Sequence, residues 1–356
     1  MHIYVALLTG SSKVKKRREI HEGLENGQLN ILIGTHALLE DKVKFHNLGI
    51  AVIDEQHRFG VAQRSKMWQK NELPPHILVM TATPIPRTLA MSVYGDLDIS
   101  VIDELPPGRK EVKTVHRYDS NRLAVFKFMK QEIEKGRQVY VVYPLIEESK
   151  AMDYKDLMDG HESISREFPM PKYQISIVHG KMKAADKEYE MQRFVKGETQ
   201  IMVATTVIEV GVNVPNASIM VIESAERFGL SQLHQLRGRV GRGADQSYCV
   251  LLSSFKLSAE AKTRLKTMVE TSDGFKIAEV DLKLRGPGNM MGTQQSGVLN
   301  LKIADVVKDT SILYKARNAA IEILQDDPNL LKPANIFIHK TYAEISKTTG
   351  AWSNIS

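Results

Sequence analysis

The chain has 356 residues, of which 42% are hydrophobic and 25% charged, a balance typical of a globular protein with room for two or three domains. Its formal charge of +6 suits an acidic partner such as nucleic acid, although many basic proteins bind none. A single cysteine, Cys249, excludes a disulfide framework and a cysteine-based zinc site. No apolar run approaches the ~20 residues that span a bilayer, so we expect a cytoplasmic protein without a membrane partner.

Short apolar runs in the first third of the chain alternate with longer charged segments. Such runs are typical of buried strands, and the charged stretch 12–26 between the first two has a helical character. The alternation predicts a parallel sheet with helices on its faces, and the proline- and glycine-rich segment 103–110 then marks a boundary. We therefore expect a first α/β domain over residues 1–110, with strands at 5–8, 31–33, 50–53 and 77–80.

The same alternation restarts beyond residue 110 and indicates a second parallel sheet. We expect this α/β domain over residues 111–255, with a polar, helix-containing excursion at 147–172. Helical patterns then frame a glycine-rich segment, which predicts a small, mainly helical C-terminal region over residues 256–356. The expected strands are 138–143, 175–178, 201–204, 219–223 and 247–252, and the expected helices are 121–135, 258–271 and 303–325.

Two adjacent carboxylates, Asp54 and Glu55, follow the third apolar run. Ligands of open α/β sheets bind at the carboxyl ends of the strands, which is where these side chains would lie. One carboxylate in such a place can hold Mg²⁺ through water, and the next can orient or deprotonate an attacking water. A strand that simply ends in solvated acids would show the same pattern, so this signal alone leaves both interpretations open.

Two further segments carry groups that suit phosphate. Thr81 and Thr83 follow the fourth apolar run, where hydroxyls fit a phosphate sensor or, equally, the N-cap of an ordinary turn. Arg239 and Arg242 lie three residues apart among glycines, so on a helix they would share a face. Two guanidinium groups on one face suit a transferring γ-phosphate, while the alternative is a basic patch against nucleic-acid phosphate.

Together, in this order and spacing, the segments resemble the motifs of superfamily 2 helicases and translocases. The resemblance implies an α/β fold with two RecA-like parallel-sheet domains, the first of them incomplete, and the mainly helical C-terminal region with a helical hairpin. The matching segments are 8–11 as motif Ia, 34–38 as motif Ib, 54–57 as motif II, 81–83 as motif III, 179–180 as motif IVa, 205–215 as motif V and 235–242 as motif VI.

The segments 281–288 and 292–297 resemble particular families within superfamily 2. They are similar to the translocation motif that the RecG family shares with the transcription-repair coupling factor, and the stretch 54–60 fits RecG better. In that family the motif forms a helical hairpin and loop that couple ATP-driven domain closure to movement along duplex DNA. The resemblance thus implies an ATP-dependent helicase that remodels branched double-stranded DNA in recombination and repair, with a single-stranded-DNA-binding protein as a further partner.

The family's functional residues carry over position by position, and the cofactors implied are ATP and Mg²⁺. Phosphate contacts from hydroxyls and backbone groups suit a motor that moves over any base sequence. The resemblance assigns Asp54 to Mg²⁺ and Glu55 to water activation, with Gln235, Arg239 and Arg242 also catalytic; Thr81, Thr83, Gly211 and Asn213 to the nucleotide; Thr9, Gly10, Ser11, Thr35, His36, His179, Gly180 and Thr206 to DNA; and Arg285, Gly286, Gln294 and Gln295 to coupling.

One motif of a complete motor is missing from the sequence. A G-x-x-x-x-G-K-[ST] loop, which cradles the phosphates of ATP, has no match, and the wedge domain of RecG has none either. We therefore expect a C-terminal fragment or truncated gene product that does not hydrolyse ATP alone and self-associates through exposed sheet edges. Two alternatives stay open, namely a non-catalytic nucleic-acid-binding module from a decayed motor, and a translocase of the transcription-repair coupling type.

Overall fold

The computed structural model describes residues 2–55, 70, 73–81, 100–102, 104–144, 150–205, 214–243, 245–285 and 309–348. These residues belong to two compact units. The first contains the described residues up to 81 and those from 314 onward, and the second contains those from 100 to 285 with 309–313.

The first unit contains two separate two-stranded parallel sheets. Strand β1 (Val5–Leu8) pairs with β2 (Ile31–Gly34), and β3 (Ile50–Ile53) pairs with β4 (His76–Val79). These strands occupy the runs expected from the sequence, to within a residue at either end. Short apolar strands joined in parallel require crossover connections, and the connection between β1 and β2 is a helix.

That helix, α1 (Val14–Glu25), buries Ile20 and Leu24 in a small core with Leu8 of β1. A 3-10 turn, His36–Leu39, follows β2 and adds Ala37 to the same core. Gly34 is required at the end of β2, because a Cβ atom there would lie 2.1 Å from the carbonyl oxygen of Leu8. The ends of β1 and β2 therefore approach more closely than any side chain at position 34 would permit.

The second unit is built on a six-stranded parallel sheet with the order β5-β10-β9-β6-β8-β7. Its central strands are buried along their whole length, as expected of parallel strands that carry helices on both faces. The strands are β5 (Lys113–Tyr118), β6 (Gln138–Tyr143), β7 (Ile175–Val178), β8 (Ile201–Thr205), β9 (Ala217–Ile222) and β10 (Tyr248–Ser253).

Helices cover both faces of this sheet and divide its core in two. One core joins α2 (Arg122–Glu134) and α3 (Lys150–Glu167) to residues such as Val139 and Val141 of β6. The other joins the remaining helices to Tyr140 and Val142, which point to the opposite face of the same strand. Those helices are α4 (Ala184–Val195), α5 (Leu230–Arg237), α6 (Ala259–Glu270) and α7 (Gly274–Arg285).

Two further helices, α8 (Thr310–Asp326) and α9 (Ile336–Thr348), end the described part of the chain. The turn between them is organised by Asp327, whose carboxylate accepts hydrogen bonds from the backbone N–H groups of Leu331 and Lys332 and from the side-chain amide of Asn335. These three donors to the charged form lower the pKa of Asp327, with the bond from Asn335 contributing most.

Two glycines within helices are expected to respond oppositely to alanine. A Cβ atom on Gly160 of α3 would lie 2.3 Å from the ring carbon Cζ of buried Tyr143, whereas one on Gly23 of α1 would lie 3.5 Å from Cβ of Leu29. We expect Gly160→Ala to lower the free energy of unfolding by about 1–3 kcal/mol through overpacking. Gly23→Ala should raise it by about 0.5–1 kcal/mol, since alanine loses less backbone entropy. Urea unfolding of both variants tests this, and a Gly160→Ala protein as stable as the parent would contradict it.

Candidate nucleotide and nucleic-acid site

The motif II acids and the motif III threonine lie at one edge of the β3–β4 sheet. Asp54 follows the last residue of β3 directly, and the N–H of Met80 donates to the carbonyl of Ile53 at 2.8 Å, which continues the pairing past β4. Because Ile53 is in register with Val79, Glu55 lies level with Thr81. The structure therefore places Asp54, Glu55 and Thr81 at the same end of this two-stranded sheet.

Glu55 adopts an unusual backbone conformation. Its φ of +52° lies in the left-handed region, and its N–H donates to Oδ1 of Asp54 at 2.9 Å. A left-handed residue other than glycine costs of order 1 kcal/mol, and such strain is concentrated at functional sites. The two neighbouring residues differ in burial: Asp54 is exposed, while Glu55 is half-buried.

The exposed carboxylate of Asp54 fits the role of a magnesium ligand. Mg²⁺ beside phosphates is held by one or two carboxylates and otherwise by water and the phosphates themselves, so a dedicated cage of side chains is not needed. Accordingly, within the described ranges no cluster of three or more His, Cys, Asp and Glu side chains is arranged to hold a metal ion. Three residues assigned to the nucleotide, Thr83, Gly211 and Asn213, and the motif II residues Gln56 and His57 lie outside the described residues.

Motifs Ia and Ib meet at the paired ends of β1 and β2. Thr9 and Thr35 follow residues Leu8 and Gly34, which are partners in the sheet. The motif Ia turn is closed by the N–H of Thr9, which donates to Oγ of Ser12 at 2.9 Å. Gly10, Ser11, Thr35 and His36 are exposed. These assigned DNA-binding residues thus form one polar edge rich in hydroxyl and backbone groups.

Arg17, which sequence reasoning did not single out, joins the two motifs. Its Nη2 donates to the carbonyl of Thr9 at 3.1 Å, and its Nη1 donates to both carboxylate oxygens of Glu40, which follows the motif Ib turn, at 2.8 and 3.0 Å. Hydrogen bonds between charged partners are stronger than those between neutral groups. The only sequence signal was a basic residue in the first turn of α1, which is common on solvated helices.

In the second unit, motif IVa follows β7. His179 comes directly after Val178, which is in register with Ala204 of β8, so His179 lies level with Thr205 at the start of motif V. Burial lowers the pKa of His179, and the nearby charges of Lys187 and Lys181 lower it further. Gly180 is exposed, and its carbonyl accepts a hydrogen bond from Nζ of Lys187. Thr206 lies outside the described residues.

The expectation that Arg239 and Arg242 share a helical face is wrong. Helix α5 ends at Arg237, and the chain continues as an irregular segment, the motif VI loop, defined here as residues 238–243. The N–H groups of Gly238 and Arg239 close back on the carbonyls of His234 and Leu236, and Gly241 has a φ of +78°. The helix therefore ends before either arginine is reached, and the chain turns at Gly241, whose left-handed φ suits glycine.

The two arginines nevertheless lie on the same side of the sheet. Burial raises the pKa of Tyr140 in β6 to about 12, and the positive charges of Arg242 and Arg239 both oppose this rise. Both guanidinium groups are therefore close to the Tyr140 side of the sheet, with Arg242 exposed and Arg239 half-buried. Gln235, on the last turn of α5, is half-buried beside the loop.

Arg237 has a structural role that sequence reasoning missed. It is only 4% exposed, and its guanidinium donates to the carbonyls of Met268, Thr271 and Ser272 at 2.9–3.3 Å, at the C-terminal end of α6. A cation there satisfies carbonyls that the helix leaves open and complements its dipole. A signal was available, because Arg237 lies four residues after Leu233 on the apolar face of α5.

Arg237 also determines the state of His234. The guanidinium donates to Nδ1 of His234 at 3.1 Å, so the imidazole is neutral and carries its proton on Nε2. Burial, and then the charge of Arg237, lower the pKa of His234 to about 4, with Asp273 acting weakly in the opposite direction.

We expect the stability of the second unit to fall as the pH drops from about 6.5 to about 4. In this window the unfolded chain protonates His234 and the folded chain does not, so acid favours unfolding by up to about 3 kcal/mol. Glutamine at this position stays neutral and can still accept from Arg237. The free energy of unfolding, measured with urea at pH 4.5–7, should therefore fall less steeply with decreasing pH for His234→Gln than for the parent. The same pH dependence in both proteins would contradict the low pKa assigned to His234.

Comparison with known proteins supports a helicase architecture. The DEAD/DEAH box helicase family matches residues 1–92, the helicase conserved C-terminal domain matches 123–244, and domain 3 (C-terminal) of the ATP-dependent DNA helicase RecG matches 271–356. The fold and the motif-bearing strand ends thus define a protein of superfamily 2 helicase type, with two RecA-like parallel-sheet domains and a helical C-terminal region. This confirms the expected fold class; the hairpin of the coupling segment lies outside the described residues.

Full-length relatives identify the family. The chain is 52% identical over 330 residues to the ATP-dependent DNA helicase RecG of Synechocystis sp. and 51% identical over 334 residues to that of Aquifex aeolicus. It also resembles a solved structure of RecG bound to a three-way DNA junction, with a TM-score of 0.66 and 44% identity over 88% of this chain and 40% of that one. The chain belongs to the RecG family.

The matches cover nearly all of this chain but less than half of the relatives. They include 93% and 92% of its residues, whereas the chain spans 39% and 42% of the length of the Synechocystis and Aquifex proteins. No helix in the described ranges combines the length and the apolar character required to cross a lipid bilayer.

Proposed function

We propose that this chain carries motor elements of an ATP-dependent DNA helicase or translocase that remodels branched double-stranded DNA, such as stalled forks and Holliday junctions, in recombination and repair. The observation that carries the proposal is that each sheet presents its matched motifs at the carboxyl ends of its strands, where α/β proteins bind ligands. The relatives named as DNA helicases and the junction-bound RecG structure support it.

The nucleotide chemistry is assigned to motifs II, III and VI. In this proposal Asp54 would hold Mg²⁺ through water, and the ion would supply positive charge beside the phosphates of ATP. Glu55 orients the attacking water and accepts its proton, while Gln235, Arg239 and Arg242 stabilise the charge that develops on the transferred phosphoryl group. Thr81, the first residue of motif III, senses the state of the phosphate, with Thr83, Gly211 and Asn213 assigned to the nucleotide by resemblance.

The DNA path is assigned to the edges that carry motifs Ia, Ib, IVa and V. Exposed hydroxyl and backbone groups at Gly10, Ser11, Thr35 and His36, with the half-buried Thr9 beside them, suit the phosphate backbone, which positions a protein without reading its bases. In the second domain, His179, Gly180 and Thr206 take the same role. A motor that steps along any sequence needs contacts of this kind.

The coupling of ATP hydrolysis to movement along DNA is assigned to the segment that begins with α7. Ser231 of α5, the helix in which motif VI begins, donates to Oδ2 of Asp281 in α7 at 3.2 Å, and Ile277 and Leu282 of α7 are buried. Of the coupling residues, Arg285 is the last residue of α7; its side chain and residues Gly286, Gln294 and Gln295 lie outside the described part of the structure. The packing of α7 on α5 supports a mechanical link from nucleotide to DNA.

Several finer assignments complete the proposal. We divide the chain into three domains, with boundaries at residues 110 and 255. We also propose two partners: a single-stranded-DNA-binding protein, and a second copy of this chain that associates through sheet edges. Apolar side chains on one face of each two-stranded sheet are consistent with self-association, since Leu7, Ile33, Ile50 and Val52 are each more than half exposed. Light scattering tests it, and a monomer at micromolar concentration would count against it.

DNA binding by the 356-residue chain tests the proposed path. Thr35→Val is expected to weaken binding to a fluorescent three-way junction about tenfold, because the hydroxyl contacts a charged phosphate. The fold should be unaffected, since no side-chain hydrogen bond from Thr35 caps the turn that it precedes. Thr263→Val is the matched control, because that hydroxyl bonds to the carbonyl of Ala259 within α6. Equal affinity of the parent and Thr35→Val would refute the motif Ib contact.

ATP turnover is measured in two proteins. For the 356-residue chain alone, we predict no robust hydrolysis even with forked DNA present, and turnover that depends on Glu55 would overturn that prediction. The second protein is a chimaera in which this chain replaces the matching region of the Synechocystis relative. The proposal predicts DNA-stimulated hydrolysis by the chimaera, and the competing non-catalytic module predicts none.

A further inference from the structure

The linker before β5, residues 104–112, directs one charged side chain towards the second domain. Residues 104–108 and 110–111 are exposed, but Arg109 between them is half-buried. The turn that presents it has the features of type II, with Pro107 followed by Gly108 at φ +79° and the N–H of Arg109 donating to the carbonyl of Pro106 at 3.1 Å. The sequence Pro-Pro-Gly thus directs the next side chain into the domain.

The contact that Arg109 makes is with the motif VI loop. Its Nε–H donates to the carbonyl oxygen of Gly241 at 2.6 Å, across 132 positions of sequence. Gly241 adopts a φ of +78° and precedes Arg242 directly. A hydrogen bond from a charged donor to the backbone of residue 241 restrains the point from which Arg242 projects.

Neighbouring contacts hold the same part of the loop against the linker. A Cβ atom on Gly241 would lie 2.7 Å from Cγ2 of Val112, so the linker and the loop pack without room for a side chain. Beyond the loop, Nε2 of Gln246 donates to the carbonyl of Glu111 at 2.7 Å, and the N–H of Lys113 donates to the carbonyl of Ser247 at 3.0 Å. The loop therefore lies against the end of the linker, not free in solvent.

We propose that Arg109 is a positioning residue that holds the motif VI loop in the conformation from which Arg242 and Arg239 act. The inference rests on the proposed role of those arginines in ATP hydrolysis. Because the linker joins the two motor domains along the chain, the same contact makes the position of Arg242 depend on the path of the linker. In this proposal Arg109 acts through its bond to the backbone of Gly241 and not on a reacting atom.

Hydrogen exchange of the whole chain tests the contact without any need for activity. The N–H groups of Arg239 and Val240 donate to the carbonyls of Leu236 and Arg237 at the end of α5, so their exchange reports the order of the loop. Arg109→Ala is expected to speed exchange over residues 238–243 about tenfold, the loss expected of one charge-assisted hydrogen bond. Arg109→Lys, which keeps a donor, should restore part of the protection. Lys110→Ala, which removes an equal charge from the exposed neighbouring position, should change nothing.

Kinetics of the chimaera separate a positioning role from a structural one. Arg109→Ala should lower kcat at least tenfold while the KM for ATP and the affinity for DNA stay within about twofold, because only the arginine that acts on the transferred phosphoryl group is displaced. Unchanged loop exchange, an equal rise in exchange throughout the six-stranded sheet, or a loosened loop with unchanged kcat would each overturn the proposal. If the unmodified chimaera has no turnover, the proposed function fails, whereas the exchange result still decides the contact.

Discussion

Replacing Arg237 by alanine is expected to lower the free energy of unfolding of the second unit by about 3–5 kcal/mol. The guanidinium is buried and satisfies three backbone carbonyls at the end of α6 together with Nδ1 of His234. Each buried polar group that loses its partner costs about 1–3 kcal/mol, and the lost side chain leaves a cavity where α5 meets α6. Arg237→Lys should lose less, because one ammonium replaces some of these bonds.

Hydrogen exchange of the central strands measures this loss within the second unit alone. Amides of β8 and β9 exchange through global opening, so their rates report the stability of that sheet directly. Arg166→Ala is the control: Arg166 is exposed on α3, and its ion pair among the described residues is with Glu162, four residues earlier, which is worth at most about 0.5 kcal/mol. If Arg237→Ala cost no more than Arg166→Ala, the buried contacts at the end of α6 would have no energetic importance.

Replacing Arg242 by alanine is expected to reduce ATP turnover by the chimaera about 10³-fold or more. An arginine that stabilises the charge on a transferred phosphoryl group contributes on that scale. Arg242 is exposed at the end of the motif VI loop and makes no contribution to the core, so stability and junction binding should stay as in the parent. Arg166→Ala again removes one exposed arginine from the same unit and should leave kcat unchanged.

The effects of Arg242→Ala on kcat and on the affinity for the junction distinguish the assigned role of Arg242 from the alternatives. A lower kcat with unchanged affinity for the junction identifies Arg242 with the transferred phosphate. Weaker junction binding with unchanged kcat would place it instead in a basic patch on the DNA path, the competing interpretation of the same residues. Turnover equal to that of the parent would remove motif VI from the catalytic assignment.

The sequence predicted the sheets best where burial is complete. Strands β6, β8 and β9 are continuous apolar runs because helices cover both of their faces, and such runs are visible without any structure. Strand β5 was not anticipated. It lies at the edge of the sheet and reads Lys-Thr-Val-His-Arg-Tyr, in which the polar residues obscure the strand signal.

The ends of elements and the long-range contacts could not be predicted in the same way. The glycines after Arg237 are compatible with a kinked helix or with a loop, and only the carbonyls of α6 and the position of Val112 decide between them. The bond from Arg109 to Gly241 joins residues 132 positions apart, and the left-handed backbone of Glu55 is not indicated by its residue type. Local pattern identified which motifs are present, while tertiary contact determined how their side chains are held.

Strand displacement on a three-way DNA junction tests the central claim most directly. The chimaera is incubated with a junction that carries one fluorescent strand, with and without ATP and Mg²⁺, beside a Glu55→Gln variant that keeps the shape of the side chain and removes its charge. The proposed function predicts release of the labelled strand only when ATP is present, and none by Glu55→Gln despite unchanged junction binding. Junction binding without ATP-dependent release, or release that persists in Glu55→Gln, would contradict it.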